Sequence, residues 1–137
     1  ILECGIEENS LFNARLRRYI DTVGFPLCVE MIASYGMSVG AEVFKTALWI
    51  GRFVETWDIL GFPWYLCYRI QIKTHLCHST RAKDSNIRQA LIDRFGAPGT
   101  KKNPGALYGA RSHVWSALAV AVYAWDNLDS LTAGCGS

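Results

Sequence analysis

No Cys-x-x-Cys pair occurs in this sequence, and its five cysteines, Cys4, Cys28, Cys67, Cys77 and Cys135, are odd in number. That argues against a disulfide scaffold and fits a reducing cytoplasm. No apolar stretch reaches the ~20 residues a membrane helix needs. The longest, residues 114–125, is interrupted by Ser116 and reads as a buried helix. Neither a signal-peptide pattern nor an initiator Met stands at the start, and the expectation is that a further segment precedes Ile1. Charged residues make up only 19% against 50% hydrophobic, which excludes a disordered chain. The 137 residues suffice for one domain with a core. A phosphate loop is also missing: the lysines after Gly99 lack the glycine spacing such a loop requires.

What is present is an uneven charge. The net +2 conceals a stretch, residues 69–111, with nine basic residues against two acidic ones. The basic residues are Arg69, Lys73, Arg81, Lys83, Arg88, Arg94, Lys101, Lys102 and Arg111. A net +7 over so short a span points to a polyanionic partner.

The chain is organised around residues 25–34, a short apolar run with Glu30 in its middle. The run predicts a strand buried on both faces in a parallel or mixed sheet. A carboxylate there is costly to desolvate and needs a basic partner, a hydrogen-bond network or a metal ion. Before it, Leu11, Phe12, Leu16, Tyr19 and Ile20 lie at helical spacing, with Asn9 or Ser10 as cap. After it comes a Gly- and Ser-rich loop, residues 34–40, where open α/β sheets bind ligands.

Residues 41–60 predict a helix with an inner stripe of Val43, Ala47, Ile50, Val54 and Trp57, widened by Phe44, Leu48 and Gly51. Residues 64–74 alternate and predict one strand, with Arg69, Gln71 and Lys73 on a polar face shared with Tyr65 and Cys67. His75, Cys77 and His78 offer zinc-type donors without a second cluster. A basic helix follows up to Phe95, capped by Asp84 or Ser85, with Ile87, Ala90, Leu91 and Phe95 inside. Residues 96–109 form a Gly-, Pro- and Lys-rich loop, expected to be mobile and able to close over a ligand. The last helix, residues 112–126, has Ser112 as its cap and His113 in its first turn. Its Ala117, Ala119, Ala121 and Ala124 keep it slim enough to approach a sheet.

The stretches 29–37, 49–53, 75–77, 81–96 and 113–121, in this order and spacing, resemble the RuvC-type Holliday junction resolvases, phage-encoded relatives in particular. The resemblance implies an α/β, RNase H-like mixed sheet flanked by helices, one nuclease domain over residues 1–137 with its first strand upstream of Ile1. It further implies phosphodiester hydrolysis of branched DNA in a bacterial or phage-infected cell. The work would be done by a homodimer without a small-molecule cofactor. In that family acids from separate elements hold two divalent ions, here Mg²⁺ or Mn²⁺, about 4 Å apart. Glu30 matches the family's central-strand Glu, and His113 matches the His of its last motif. Both are thereby implied as metal ligands and catalytic residues.

Ser116 stands where that motif has an Asp, and none of Asp21, Asp58, Asp84, Asp93, Asp126 and Asp129 lies in a suitable first strand. Lys73, Arg81, Lys83, Arg88, Lys101, Lys102 and Arg111 would hold phosphates. The missing acids also favour an alternative: a catalytically inactive nucleic-acid-binding or structural protein on a degenerate nuclease fold.

Overall fold

A computed structural model describes residues 5–18 and 25–132. The expected contributions of Tyr19, Ile20 and Asp21 fall outside them, as do Cys4 and Cys135. The elements run α1 (Asn9–Leu16), β1 (Leu27–Met31), α2 (Ala41–Ile59), β2 (Trp64–Tyr68), α3 (Arg69–Cys77), α4 (Asp84–Phe95), α5 (Val114–Asp126) and α6 (Leu128–Thr132). They fall into two compact units, one of Glu7–Arg69 with α6, the other comprising Ile70–Asn127 with Gly5 and Ile6.

In the Glu7–Arg69 unit, β1 and β2 pair in parallel, joined through α2, with Glu30 opposite Cys67 and Met31 opposite Tyr68. This is an α/β unit, but its sheet has two strands among the described residues. Every β1 residue is consequently half-buried. β1 is not the strand buried on both faces that its apolar run predicts, because helices do not completely cover the two strands present among the described residues. The core forms where α1 crosses α2: Leu16, Phe53 and Trp57 are buried, and Phe12, Leu27, Trp49, Leu60, Phe62 and Trp64 pack on them. Phe12 meets Phe53 edge-on at 5.1 Å between centroids. The Trp57 indole N–H donates to the Phe25 carbonyl at 3.2 Å. Inside this apolar contact the Thr56 hydroxyl donates to Asn13 Oδ1 at 2.9 Å, so the two buried polar side chains satisfy each other.

The α2 stripe of Val43, Ala47, Ile50, Val54 and Trp57 does turn inward or sit half-buried. Phe44, Leu48 and Gly51 do not; they are exposed, and Phe53 and Thr56 take the inner positions beside the stripe. The reason is that α1 packs on the flank of α2 that carries residues 49, 53 and 56. Gly61, at φ +75°, reverses the chain after α2, a conformation natural to glycine.

The alternating run ends sooner than its pattern predicts. Only Trp64–Tyr68 is strand, with Tyr65 and Cys67 buried, so the face expected to be polar is the inner one. β1 stops at Met31, opposite Tyr68. β1 offers no strand to extend the ladder beyond Arg69, and the chain continues as helix α3, whose own hydrogen bonds satisfy its backbone. In α3 Ile72 is fully buried while Ile70 is exposed, a helical and not an alternating pattern.

In the Ile70–Asn127 unit the buried side chains include Ile72, Ile87, Leu91, Leu107, Val114, Ala119 and Val120. α4 is started by Lys83, whose backbone N–H donates to Asn86 Oδ1 at 2.8 Å, and not by Asp84 or Ser85. Ile87 and Leu91 are its inner residues, whereas Phe95 is exposed. α5 packs on α4 within this unit. Its Ala119 and Ala124 are buried, but Ala117 and Ala121 face solvent. No helix among the described residues is long and apolar enough to cross a membrane.

Candidate functional site

β1 carries Glu30 one residue before its carboxyl end, and the chain leaves it through a tight turn. Met37 N–H donates to the Ser34 carbonyl at 2.9 Å, while Tyr35 and Gly36 take φ of +48° and +84°. Two positive φ angles in succession define a type I′ turn. Gly36 suits it, and Tyr35 adopts it at a steric cost. Behind the turn lies a cavity of about 420 Å³ lined by Glu30, Met31, Tyr35, Val39, Val43 and Arg69, among others. The loop of residues 34–40 thus sits over a cavity at the carboxyl end of the Glu30 strand, where ligands are expected on such sheets.

Glu30 is not the enclosed acid its apolar neighbours imply. Its side chain is 31% exposed, and Arg69 Nη1 lies 3.7 Å from its Oε2. That Nη1 is itself shielded from solvent. Arg69, expected to point outward from a strand, is the first residue of α3, and its guanidinium is brought onto the cavity instead. The acid therefore has a cationic neighbour, one of the compensations a desolvated carboxylate requires.

His113 caps α5 with its ring exposed and makes no side-chain capping bond. The expected cap, Ser112, takes φ +41° just before it. His113 belongs to the Ile70–Asn127 unit and Glu30 to the Glu7–Arg69 unit. All seven expected phosphate-holding residues also belong to the Ile70–Asn127 unit: Lys73 half-buried on α3, Arg88 exposed on α4, and Arg81, Lys83, Lys101, Lys102 and Arg111 exposed on loops. Arg88 lies over the Trp115 ring at 4.9 Å.

The second polar centre went unread in the sequence. Asp126, at the end of α5, accepts from both terminal nitrogens of Arg94, with Nη2 at 2.7 Å from Oδ1, and meets His75 Nε2 at 2.7 Å. It thereby ties the last turns of α3, α4 and α5 together. The Arg94 hydrogen bonds first, and that of His75 after them, hold the Asp126 carboxyl down at about 2. His75 is engaged here, edge-on to Tyr123 as well, and not with Cys77 and His78 around a zinc ion. Burial pushes the thiols of Cys28 and Cys67 up to about 11 and 12, and that of Cys77 up as well. Cys67, buried in the sheet beside half-buried Cys28, fills apolar space there.

A two-ion centre needs several converging acids. Among the described residues no three His, Cys, Asp or Glu side chains converge as cation ligands would. The neighbour of Glu30 is a guanidinium and not a second carboxylate. The described residues alone do not complete such a centre.

No protein-family model matches the chain, and no curated protein matches it in sequence. Among solved structures, that of Thermus thermophilus RuvC is similar to it: 18% identical, with 93% of this chain and 74% of that one covered, at a TM-score of 0.60. At that identity the likeness concerns the fold alone, and the fold of this chain is RuvC-like.

Proposed function

We propose that this chain acts on branched DNA as a structure-selective endodeoxyribonuclease of the Holliday junction resolvase type. The observation that carries the proposal is the RuvC-like fold together with Glu30 beside a cavity at the carboxyl end of its strand. Residues 69–111 support it with their net +7. Such charge attracts a phosphate backbone without reading sequence. On this reading the whole chain is one RNase H-like nuclease domain acting as a homodimer. Glu30 and His113 would serve as metal ligands and catalytic residues, and bound Mg²⁺ or Mn²⁺ would supply an activated water. Lys73, Arg81, Lys83, Arg88, Lys101, Lys102 and Arg111 hold DNA phosphates. Acids from outside the described residues are required to complete the ion site.

One observation favours a second reading. The Arg69 guanidinium already neighbours Glu30, as it would in a protein that binds junctions without cutting them. Incubation of the chain with a labelled four-way junction and Mg²⁺ separates the two. Cleavage that disappears in Glu30→Gln supports the nuclease. Tight binding without cleavage under Mg²⁺ or Mn²⁺ supports the binding protein. Absence of any junction binding refutes both.

A further inference from the structure

Residues 96–109 are read from composition as a mobile loop, but their backbone is tied across itself. Thr100 N–H donates to the Asn103 carbonyl at 3.0 Å, and Asn103 N–H returns the bond to Thr100 at 3.1 Å. Gly99 and Pro104 form an antiparallel bridge behind that pair, and Gly105 N–H donates to the Pro98 carbonyl at 2.9 Å. The result is a miniature hairpin with Lys101 and Lys102 at its two corners. The two sides of the hairpin lie so close that a Cβ on Gly99 would stand 2.4 Å from the Asn103 carbonyl oxygen, and one on Gly105 would stand 2.2 Å from that of Ala97. Neither position admits a side chain without moving backbone. Leu107, 2% exposed, anchors the segment just beyond.

Two-residue hairpin corners ordinarily go to Asn-Gly or similar pairs with positive φ. Here the corners are both lysines, and neither has a positive φ. Both are exposed, and among the described residues neither makes an ion pair. Residues 96–111 contain no acid. Two adjacent ammonium groups on a closed loop repel each other, and an anion with two neighbouring negative charges relieves that repulsion.

We propose that residues 96–105 are a preformed dilysine clasp that engages adjacent phosphates of a nucleic-acid backbone, with Gly99 and Gly105 as the positioning residues that set its shape. The clasp rests on the reading that the partner is DNA. Its preformed shape spares the entropy of ordering a loop on binding. It replaces the expected lid: a hairpin closed on itself holds its ligand from one side.

The test is fluorescence anisotropy of a labelled four-way junction in EDTA, titrated over a range of salt, with circular dichroism to confirm folding. The double variant Lys101→Gln/Lys102→Gln should lower the slope of log affinity against log salt by about 1.8, the value for two duplex phosphate contacts. Equivalently, the wild type should lose about tenfold more affinity than the variant between roughly 50 and 200 mM salt. Lys101→Arg/Lys102→Arg should restore the slope. Gly105→Ala keeps both charges and should lower affinity and slope if the shape matters. Gly99→Ala provides the same test should Gly105→Ala fail to fold. A wild type that binds with a slope unchanged in the double glutamine variant overturns the clasp. A folded glycine variant with full affinity overturns its preformed shape. A wild type that does not bind the junction overturns instead the proposed function on which the clasp rests.

Discussion

Arg69 Nη1 stands 3.7 Å from Glu30 Oε2, and the side chains of the two are 22% and 31% exposed. The pair lies between the surface case, worth about 0–1 kcal/mol, and the fully buried one, whose disruption costs about 3–5 kcal/mol. Glu30→Gln keeps the shape of the side chain and should cost about 1 kcal/mol in urea unfolding. It is then a clean probe of function. A loss above about 3 kcal/mol would place the acid in the framework instead.

Asp126 gives the Ile70–Asn127 unit an acid sensitivity. Its folded carboxyl titrates at about 2, below the ordinary 3.8, because Arg94 and His75 stabilise the ionised form. A depressed folded value contributes stability that is complete above the ordinary value and is lost as pH falls toward the folded one. The wild type should therefore lose thermal stability between about pH 4 and pH 2, beyond what its other carboxylates cause. Asp126→Asn should be less stable at pH 7 and flatter across that window. Parallel melting curves of the two proteins at pH 7 and pH 3 check this, and an equal acid loss in both would contradict it.

The α1–α2 contact should hold most of the stability of its unit. Trp57→Ala removes a side chain that is 6% exposed and should cost about 3–5 kcal/mol. Asn13→Leu leaves the buried Thr56 hydroxyl without its acceptor and should cost about 1–3 kcal/mol. Replacing both partners, Asn13→Leu with Thr56→Val, should recover part of that cost, which a double-mutant cycle in urea measures.

Thiol chemistry should follow burial. With its thiol pushed up to about 12, Cys67 should resist iodoacetamide at pH 8 in the folded protein and react in denaturant. Cys28, pushed up to about 11, should also be slow. Peptide mapping by mass spectrometry reads both, and rapid labelling of Cys67 in the folded protein would contradict its burial.

The elements with one dominant period were legible in the sequence. The Glu30 strand, the α2 stripe and the Ile87–Leu91 face of α4 follow directly from the spacing of apolar residues. The cavity at the end of β1 lies where the strand-and-loop order places it. What failed was anything decided by a partner distant in sequence. Residues 64–74 alternate to the end, but β1 is only five residues long and cannot pair with more. Phe44 and Leu48 are as apolar as the inner stripe, yet α1 packs on the other flank. Asp126 and His75, 51 residues apart, meet only through packing that no local pattern records. The hairpin of residues 98–105 is hidden from the sequence for a different reason. Gly, Pro and Lys usually mark a flexible loop, and here the two glycines serve a close backbone crossing.

The most direct test is a cleavage assay on a four-way junction assembled from synthetic oligonucleotides, with Mg²⁺ as the variable and with wild type and Glu30→Gln in parallel. The account predicts metal-dependent nicking by the wild type and none by the variant, with junction affinity the same in both. Nicking that persists unchanged in Glu30→Gln would contradict it.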